Sequence, residues 1–341
     1  MKPGLACGKV ILCGEHAVVH GVPALAVGID RGARAEATAI SGGDSTLQIR
    51  DWNVNVSTSD AGGPAVGAAF RALVEVSRID GARAVVAQAD LPPGGGLGCS
   101  AALGVAVARA LDLAASSDVI ATRANAWERV FHGNPSGVDA AVAAEGGCVY
   151  FQRASEDGAR GRVLERVRSP RVMPLCIGHT GQASSTKTMV EVVARQLEKK
   201  PETTKRTFAA IETLVKNARL AFQAGDFRAV GQLLDLNQML LASLFVSTPE
   251  IEQLCASARA AGAHGAKLTG AGGGGCVVAL VEDARIADAV LAAWKADGFE
   301  GFSTMVNAGA VPTATASSPH VGSVLAPSSG AVPPNPLEPS P

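Results

Sequence analysis

Between residues 267 and 276 the chain reads Lys267-Leu268-Thr269-Gly270-Ala271-Gly272-Gly273-Gly274-Gly275-Cys276, with four glycines in succession between two apolar runs. Glycine tolerates positive φ and leaves main-chain N–H groups uncovered, so such a loop suits close approach by an anion or a substrate. A flexible linker is the competing reading. The flanks argue against it: Ala266-Lys267-Leu268 before the loop and Cys276-Val277-Val278-Ala279-Leu280-Val281 after it read as strand, tight loop and buried strand. Four adjacent glycines have no evident packing use, so the expectation is that a ligand meets this backbone.

A second cluster, Leu91-Pro92-Pro93-Gly94-Gly95-Gly96-Leu97-Gly98-Cys99-Ser100-Ala101-Ala102, follows the short apolar run Ala84-Val85-Val86-Ala87. Beyond it Leu103, Val107 and Leu111 recur at helical spacing. The glycines therefore sit at a helix N-terminus, where unpaired N–H groups and the positive end of the macrodipole stabilise phosphate. No Gly-Lys-Ser/Thr follows, so this is not a Walker A loop. A dinucleotide fingerprint also fails, because no strand ending in an acid follows at the required distance. Two loops of this kind point to a nucleotide or a phosphorylated substrate.

The formal net charge of −1 and the lack of a basic block exclude nucleic acid as an expected partner. Seven cysteines, mostly in apolar runs such as Val10-Ile11-Leu12-Cys13 and without metal-like spacing, lead us to expect reduced thiols and a cytoplasmic protein. Neither a signal peptide nor a membrane-spanning run is expected. Strands are predicted at residues 5–13, 33–39 and 175–178 and at Cys148 to Phe151, a hairpin at 47–56 turned by Asp51-Trp52-Asn53, and a hairpin loop at 156–161. Helices are predicted at 64–77 and 118–131, after Asn134-Pro135-Ser136, then at 184–199, 204–224 and 227–246, from Pro249, and at 283–297, with a last strand at 302–306. The expected organisation is an N-terminal domain over 1–170, an α+β C-terminal domain over 171–310, and a Pro/Ser/Ala-rich disordered tail over 311–341.

The segment Gly8-Lys9-Val10-Ile11-Leu12-Cys13-Gly14-Glu15-His16-Ala17-Val18-Val19-His20-Gly21, taken with the two glycine loops, resembles the GHMP kinase superfamily, and most closely its mevalonate kinase branch. The three motifs occur in the family's order and span the chain to about residue 310. The resemblance implies a two-domain α+β fold, ribosomal-protein-S5-like at the N-terminus and an α/β plait with added helices at the C-terminus. It implies ATP-dependent phosphorylation of mevalonate to 5-phosphomevalonate, with Mg2+ as cofactor and a homodimeric assembly. Another small-molecule kinase of the superfamily, acting on phosphomevalonate or a sugar, or a decarboxylase relative, is the alternative.

By the same resemblance, Asp139 is the catalytic aspartate and Lys9 its partner. Lys9, Pro93, Gly94, Gly95, Gly96, Leu97, Gly98, Cys99 and Ser100 would bind the nucleotide, and Ser100 and Glu128 the metal. Glu15, His16, Val19, Arg153, Thr180, Ala271 and Gly272 would line the acceptor pocket, with Arg153 pairing with a carboxylate. Each part answers a demand of phosphoryl transfer, which needs phosphate positioning, charge neutralisation and a group to accept the hydroxyl proton. Trp52 and Asn53 are candidates for the adenine side. Cys99 stands where the family has serine, which raises the expectation of sensitivity to thiol reagents.

Overall fold

The chain folds around two sheets whose edges meet, as seen in a computed structural model that describes residues 2–60, 64–133, 135–153 and 162–306. The expected loop at 156–161 and the tail at 311–341 lie outside the described residues.

The first sheet holds seven strands: β1 (Gly4–Cys13), β2 (Ala24–Ala39), β3 (Thr46–Ile49), β4 (Val54–Ser57), β5 (Arg83–Ala89), β6 (Cys148–Gln152) and β7 (Arg162–Val167). Their order is β4-β3-β5-β2-β6-β7, with β1 also paired to β2. Among the described residues only β3 and β5 pair in parallel, and the helix α1 (Ala65–Ser77) lies in the crossover before β5. The hairpin expected at 47–56 forms, with Asn53 at φ 51 closing the turn.

Against this sheet lies α2 (Cys99–Leu111), buried at every position from Cys99 to Ala108. Its Ala, Gly and Val side chains let it sit close, and it is overlaid by α3 (Ser117–His132) and α4 (Val138–Glu145). Arg109 ties these layers together, donating to the carbonyls of Leu5 in β1 and Ala144 in α4.

The second sheet is antiparallel, in the order β11-β8-β10-β9, and comprises β8 (Pro174–His179), β9 (Gly265–Thr269), β10 (Cys276–Leu280) and β11 (Glu300–Met305). Between β8 and β9 run α5 (Thr186–Lys199), α6 (Pro201–Ala224), α7 (Phe227–Ser243) and α8 (Pro249–Ala260). Pro201 and Pro249 occupy first-turn positions, where proline's missing N–H has no intrahelical partner to lose. The last helix, α9 (Ala284–Ala296), packs with α8 on the sheet, where buried Trp294 donates to Leu254 O at 2.8 Å.

β2 is longer than the strand expected at 33–39, and its middle explains why. Cys7 pairs with Gly32 and Gly8 with Ile29, leaving Asp30 and Arg31 as a bulge. The bulged residues reach the second sheet: Asp30 accepts from Thr304 and from Met305 N, and the Arg31 guanidinium lies 4.0 Å from the Phe302 ring centroid. An isolated bridge from Ile29 to Val306 completes the junction.

Candidate active site

The first glycine loop carries left-handed φ at Gly94, Gly96 and Gly98, and Gly98 is the N-cap of α2. Alternating backbone of this kind turns successive amides toward one concave side and suits an anion. Leu97 O accepts from Lys9 N at 2.9 Å, which pins the loop to β1. A Cβ at Gly98 would stand 2.8 Å from Lys9 Cγ, so glycine there is what lets the lysine stem pass beneath the helix start.

Lys9 Nζ meets Asp139 Oδ1 at 3.1 Å. Asp139 sits in the first turn of α4, where the helix dipole favours a carboxylate. In the first turn of α2, Ser100 Oγ donates to Glu128 Oε1 at 2.6 Å and accepts from Trp127 Nε1 at 3.2 Å. Burial pushes the Glu128 carboxyl up, against the opposing pull of His132, Ser100 and Lys9, and the charge of Asp139 pushes the same way. Ser100, Glu128, Lys9 and Asp139 therefore form one electrostatic neighbourhood. A buried carboxylate beside a hydroxyl is a pair of hard oxygen donors that a divalent cation would stabilise. Among the described residues no group of three or more His, Cys, Asp or Glu could hold a metal alone, so such an ion would complete its shell with water and phosphate oxygens.

The residues expected on the acceptor side are tied together by hydrogen bonds that join the two sheets. Ala17 N donates to Glu15 O at 2.6 Å, closing a γ-turn around His16 at φ 60, ψ −51. His16 Nε2 meets Ala271 O at 2.8 Å in the second glycine loop. Burial lowers the His16 pKa to about 4, so the ring is neutral at neutral pH and Nε2 carries the proton toward the carbonyl. Val19 O accepts from Arg153 Nη1 at 3.5 Å. Thr180 Oγ1 donates to Gly275 O at 3.1 Å, and Ser184 donates to Gly272 O.

Two family models match the chain, the GHMP kinases N terminal domain over residues 65–147 and the GHMP kinases C terminal over 218–300. The chain is 35% identical to the mevalonate kinase of Pyrococcus abyssi over 301 residues, covering 81% of this chain and 87% of that one. With the mevalonate kinase of Methanothermobacter thermautotrophicus it shares 33% identity over 302 residues, covering 85% and 94%. The chain belongs to the mevalonate kinase family. Among solved structures, the L. major mevalonate kinase in complex with R-mevalonate superposes with a TM-score of 0.78 at 28% identity, covering 90% of this chain and 96% of that one.

In this member of the mevalonate kinase family the glycines of the second loop are also approached closely by protein. A Cβ at Gly270 would lie 2.9 Å from Gly96 Cα, one at Gly272 2.1 Å from Val246 O, and one at Gly273 2.5 Å from Met189 Sδ. Gly273 N donates to Val246 O at 2.7 Å and Gly275 N to Gln182 O at 2.9 Å. The glycines do have a packing role: they let the two loops and the segment before α5 touch. The Cys99 expectation is also corrected. Its thiol is buried with Leu91 O 3.7 Å away, and burial raises its pKa to about 12, so it is a poor nucleophile.

Two polar residues at the site went unread in the sequence. The Lys267 ammonium pairs with Glu15 Oε1, and Asn237 Nδ2 donates to Glu15 Oε2 at 3.1 Å. In the sequence Lys267 stands only as the residue opening the glycine motif, and Asn237 only as one polar position in a helical run. Trp52 is half-buried beside the turn and reaches none of these groups through a hydrogen bond given by the structure.

Proposed function

We propose that this chain transfers the γ-phosphoryl group of ATP to the primary hydroxyl of mevalonate, giving 5-phosphomevalonate and ADP. The observation that carries this reading is the Lys9–Asp139 pair at 3.1 Å, set beside the Ser100–Glu128 pair at the start of the glycine-capped helix. The loop Pro93 to Ser100 would bind the triphosphate through its backbone and the N-terminus of α2. Ser100 and Glu128 would hold Mg2+, which when bound neutralises charge on the phosphate oxygens.

Asp139 accepts the proton of the acceptor hydroxyl as its oxygen bonds to the γ-phosphorus and the bond to the leaving ADP oxygen breaks. Lys9 keeps that carboxylate in place and stabilises negative charge developing on the transferred group. Glu15, His16, Val19, Arg153, Thr180, Ala271 and Gly272 form the acceptor side, Arg153 supplying a guanidinium for the mevalonate carboxylate. Residues 1–170 and 171–310 act as the two domains of this reading, which follow the division into two sheets. A homodimer and a cytoplasmic location belong to it as well, the latter supported by seven buried thiols. No helix among the described residues is long and apolar enough to cross a membrane.

The test is coupled ADP release with mevalonate, phosphomevalonate, galactose and homoserine as acceptors, with gas release followed in parallel. Mevalonate-dependent ADP without carbon dioxide is the expected result. Preference for another acceptor overturns the reading.

A further inference from the structure

Lys267 is fully buried, and a lysine in that position is rare unless paired. Its partner is the equally buried Glu15, whose second oxygen takes the Asn237 amide at 3.1 Å, while Lys267 Nζ also donates to Ile11 O at 3.3 Å and to Leu268 O. The three side chains come from different places in the fold: the turn after β1, helix α7 and strand β9. A buried ion pair adds little net stability, since an apolar pair of similar volume holds a core as well. What this one can supply is direction.

The directed element is the γ-turn. Non-glycine backbone at φ 60, ψ −51 persists only where its surroundings over-determine it. Glu15 on one side of the turn is held by two donors, and His16 at its centre is held by Ala271 O at 2.8 Å. A further tie, Ile11 N to Thr269 Oγ1 at 3.2 Å, runs from the same strand, and two residues before Ile11 stands Lys9. The geometry therefore couples the strand that carries the Lys9–Asp139 pair to the loop that carries Ala271 and Gly272.

We propose that Lys267, with Asn237, is a positioning residue: by clasping Glu15 across the two sheets it fixes the γ-turn that seats His16 on the second glycine loop, and so sets the acceptor side of the site without touching the substrate. This rests on the kinase reading above. Wild-type mevalonate-dependent ADP release is therefore measured first, so that failure of that reading is seen separately from failure of the clasp.

The test is a double-mutant cycle in the full chain, with Lys267→Met, Glu15→Gln and the charge-free double variant, read as separate KM values for mevalonate and ATP. The expected result is a rise in mevalonate KM of about tenfold or more in each single variant, with ATP KM within about twofold of wild type. In the double variant the rise is no larger than in the worse single, because one coupled clasp has been lost. Penalties that multiply in the double would mean the two residues act independently and overturn the proposal. So would a parallel rise of both KM values with a lowered melting temperature, or no change in either. If a lone buried charge keeps the singles from folding, the double variant and Asn237→Leu, which leaves the ion pair intact, carry the measurement. Each is expected to raise mevalonate KM alone, and wild-type KM values in both would overturn the clasp.

Discussion

Lys9 and Asp139 meet at 3.1 Å, yet one side chain is 4% exposed and the other 33%. The lysine is enclosed beneath the start of α2, and the carboxylate, at the start of α4, is partly exposed. In the proposed reaction the acceptor hydroxyl meets Asp139, while the enclosed Lys9 acts by holding that carboxylate and through its own charge. Asp139→Asn keeps the shape and removes the base. It is expected to lower kcat by ~10² to 10⁴-fold while ATP affinity, measured by equilibrium titration, stays near that of the wild type. Near-normal turnover would remove Asp139 from the proton's path.

The second glycine loop makes a stability prediction with an internal control. Gly272 has φ +74 and faces Val246 O, which a Cβ would approach to 2.1 Å, whereas Gly42 has φ +77 with nothing within 4 Å. Both share the backbone penalty of a left-handed L-residue. Gly42→Ala is therefore expected to lose about 1 kcal/mol, and Gly272→Ala a further ~1–3 kcal/mol from overpacking against backbone. Denaturant midpoints of the two variants check this. Equal losses would mean the loop relaxes freely and the close approach does no structural work.

Motif-borne residues were legible because their chemistry is local: a glycine run before a helical apolar period marks an anion site without knowledge of the fold. Ser100 and Glu128 needed the family resemblance, and the fold then brings them to 2.6 Å across 28 residues. Lys267 could not be read, since its partner Glu15 lies 252 residues away and nothing in either neighbourhood signals the other. The length of β2 was hidden by Asp30 and Arg31, whose charges break the apolar pattern because they bulge toward β11. Arg162-Val163-Leu164-Glu165-Arg166-Val167, whose charges at 162, 165 and 166 break any period-two pattern, likewise concealed β7, an edge strand of the first sheet. The second glycine loop was recognised as a place of close approach, but sequence gives no means of telling a ligand from Val246 or Met189.

Thiol chemistry separates the sequence expectation from the structure. All seven cysteines are buried, and burial raises Cys13, Cys99, Cys176, Cys255 and Cys276 to a pKa of about 12. The native enzyme is expected to keep its activity through exposure to an aromatic disulfide reagent, with the seven thiols reacting only once denaturant is added. Rapid loss of activity that ATP prevents would show that the Cys99 thiol is reachable and reactive in the native fold.

Acid stability should report His16. Its folded pKa is about 4 against 6.5 for the free side chain, with burial as the main cause, and the His20 and Lys267 charges add to it. Between those values the unfolded chain binds a proton that the folded chain does not, so stability rises with pH across the window. The contribution is fully present above pH 6.5 and is lost as pH falls toward 4. A shift of this size corresponds to about 3 kcal/mol. His16→Gln keeps an N–H able to reach Ala271 O but has nothing to titrate. Its urea midpoint is expected to fall less steeply than the wild type's over the same pH range, and parallel curves would show that His16 takes up its proton as readily folded as unfolded.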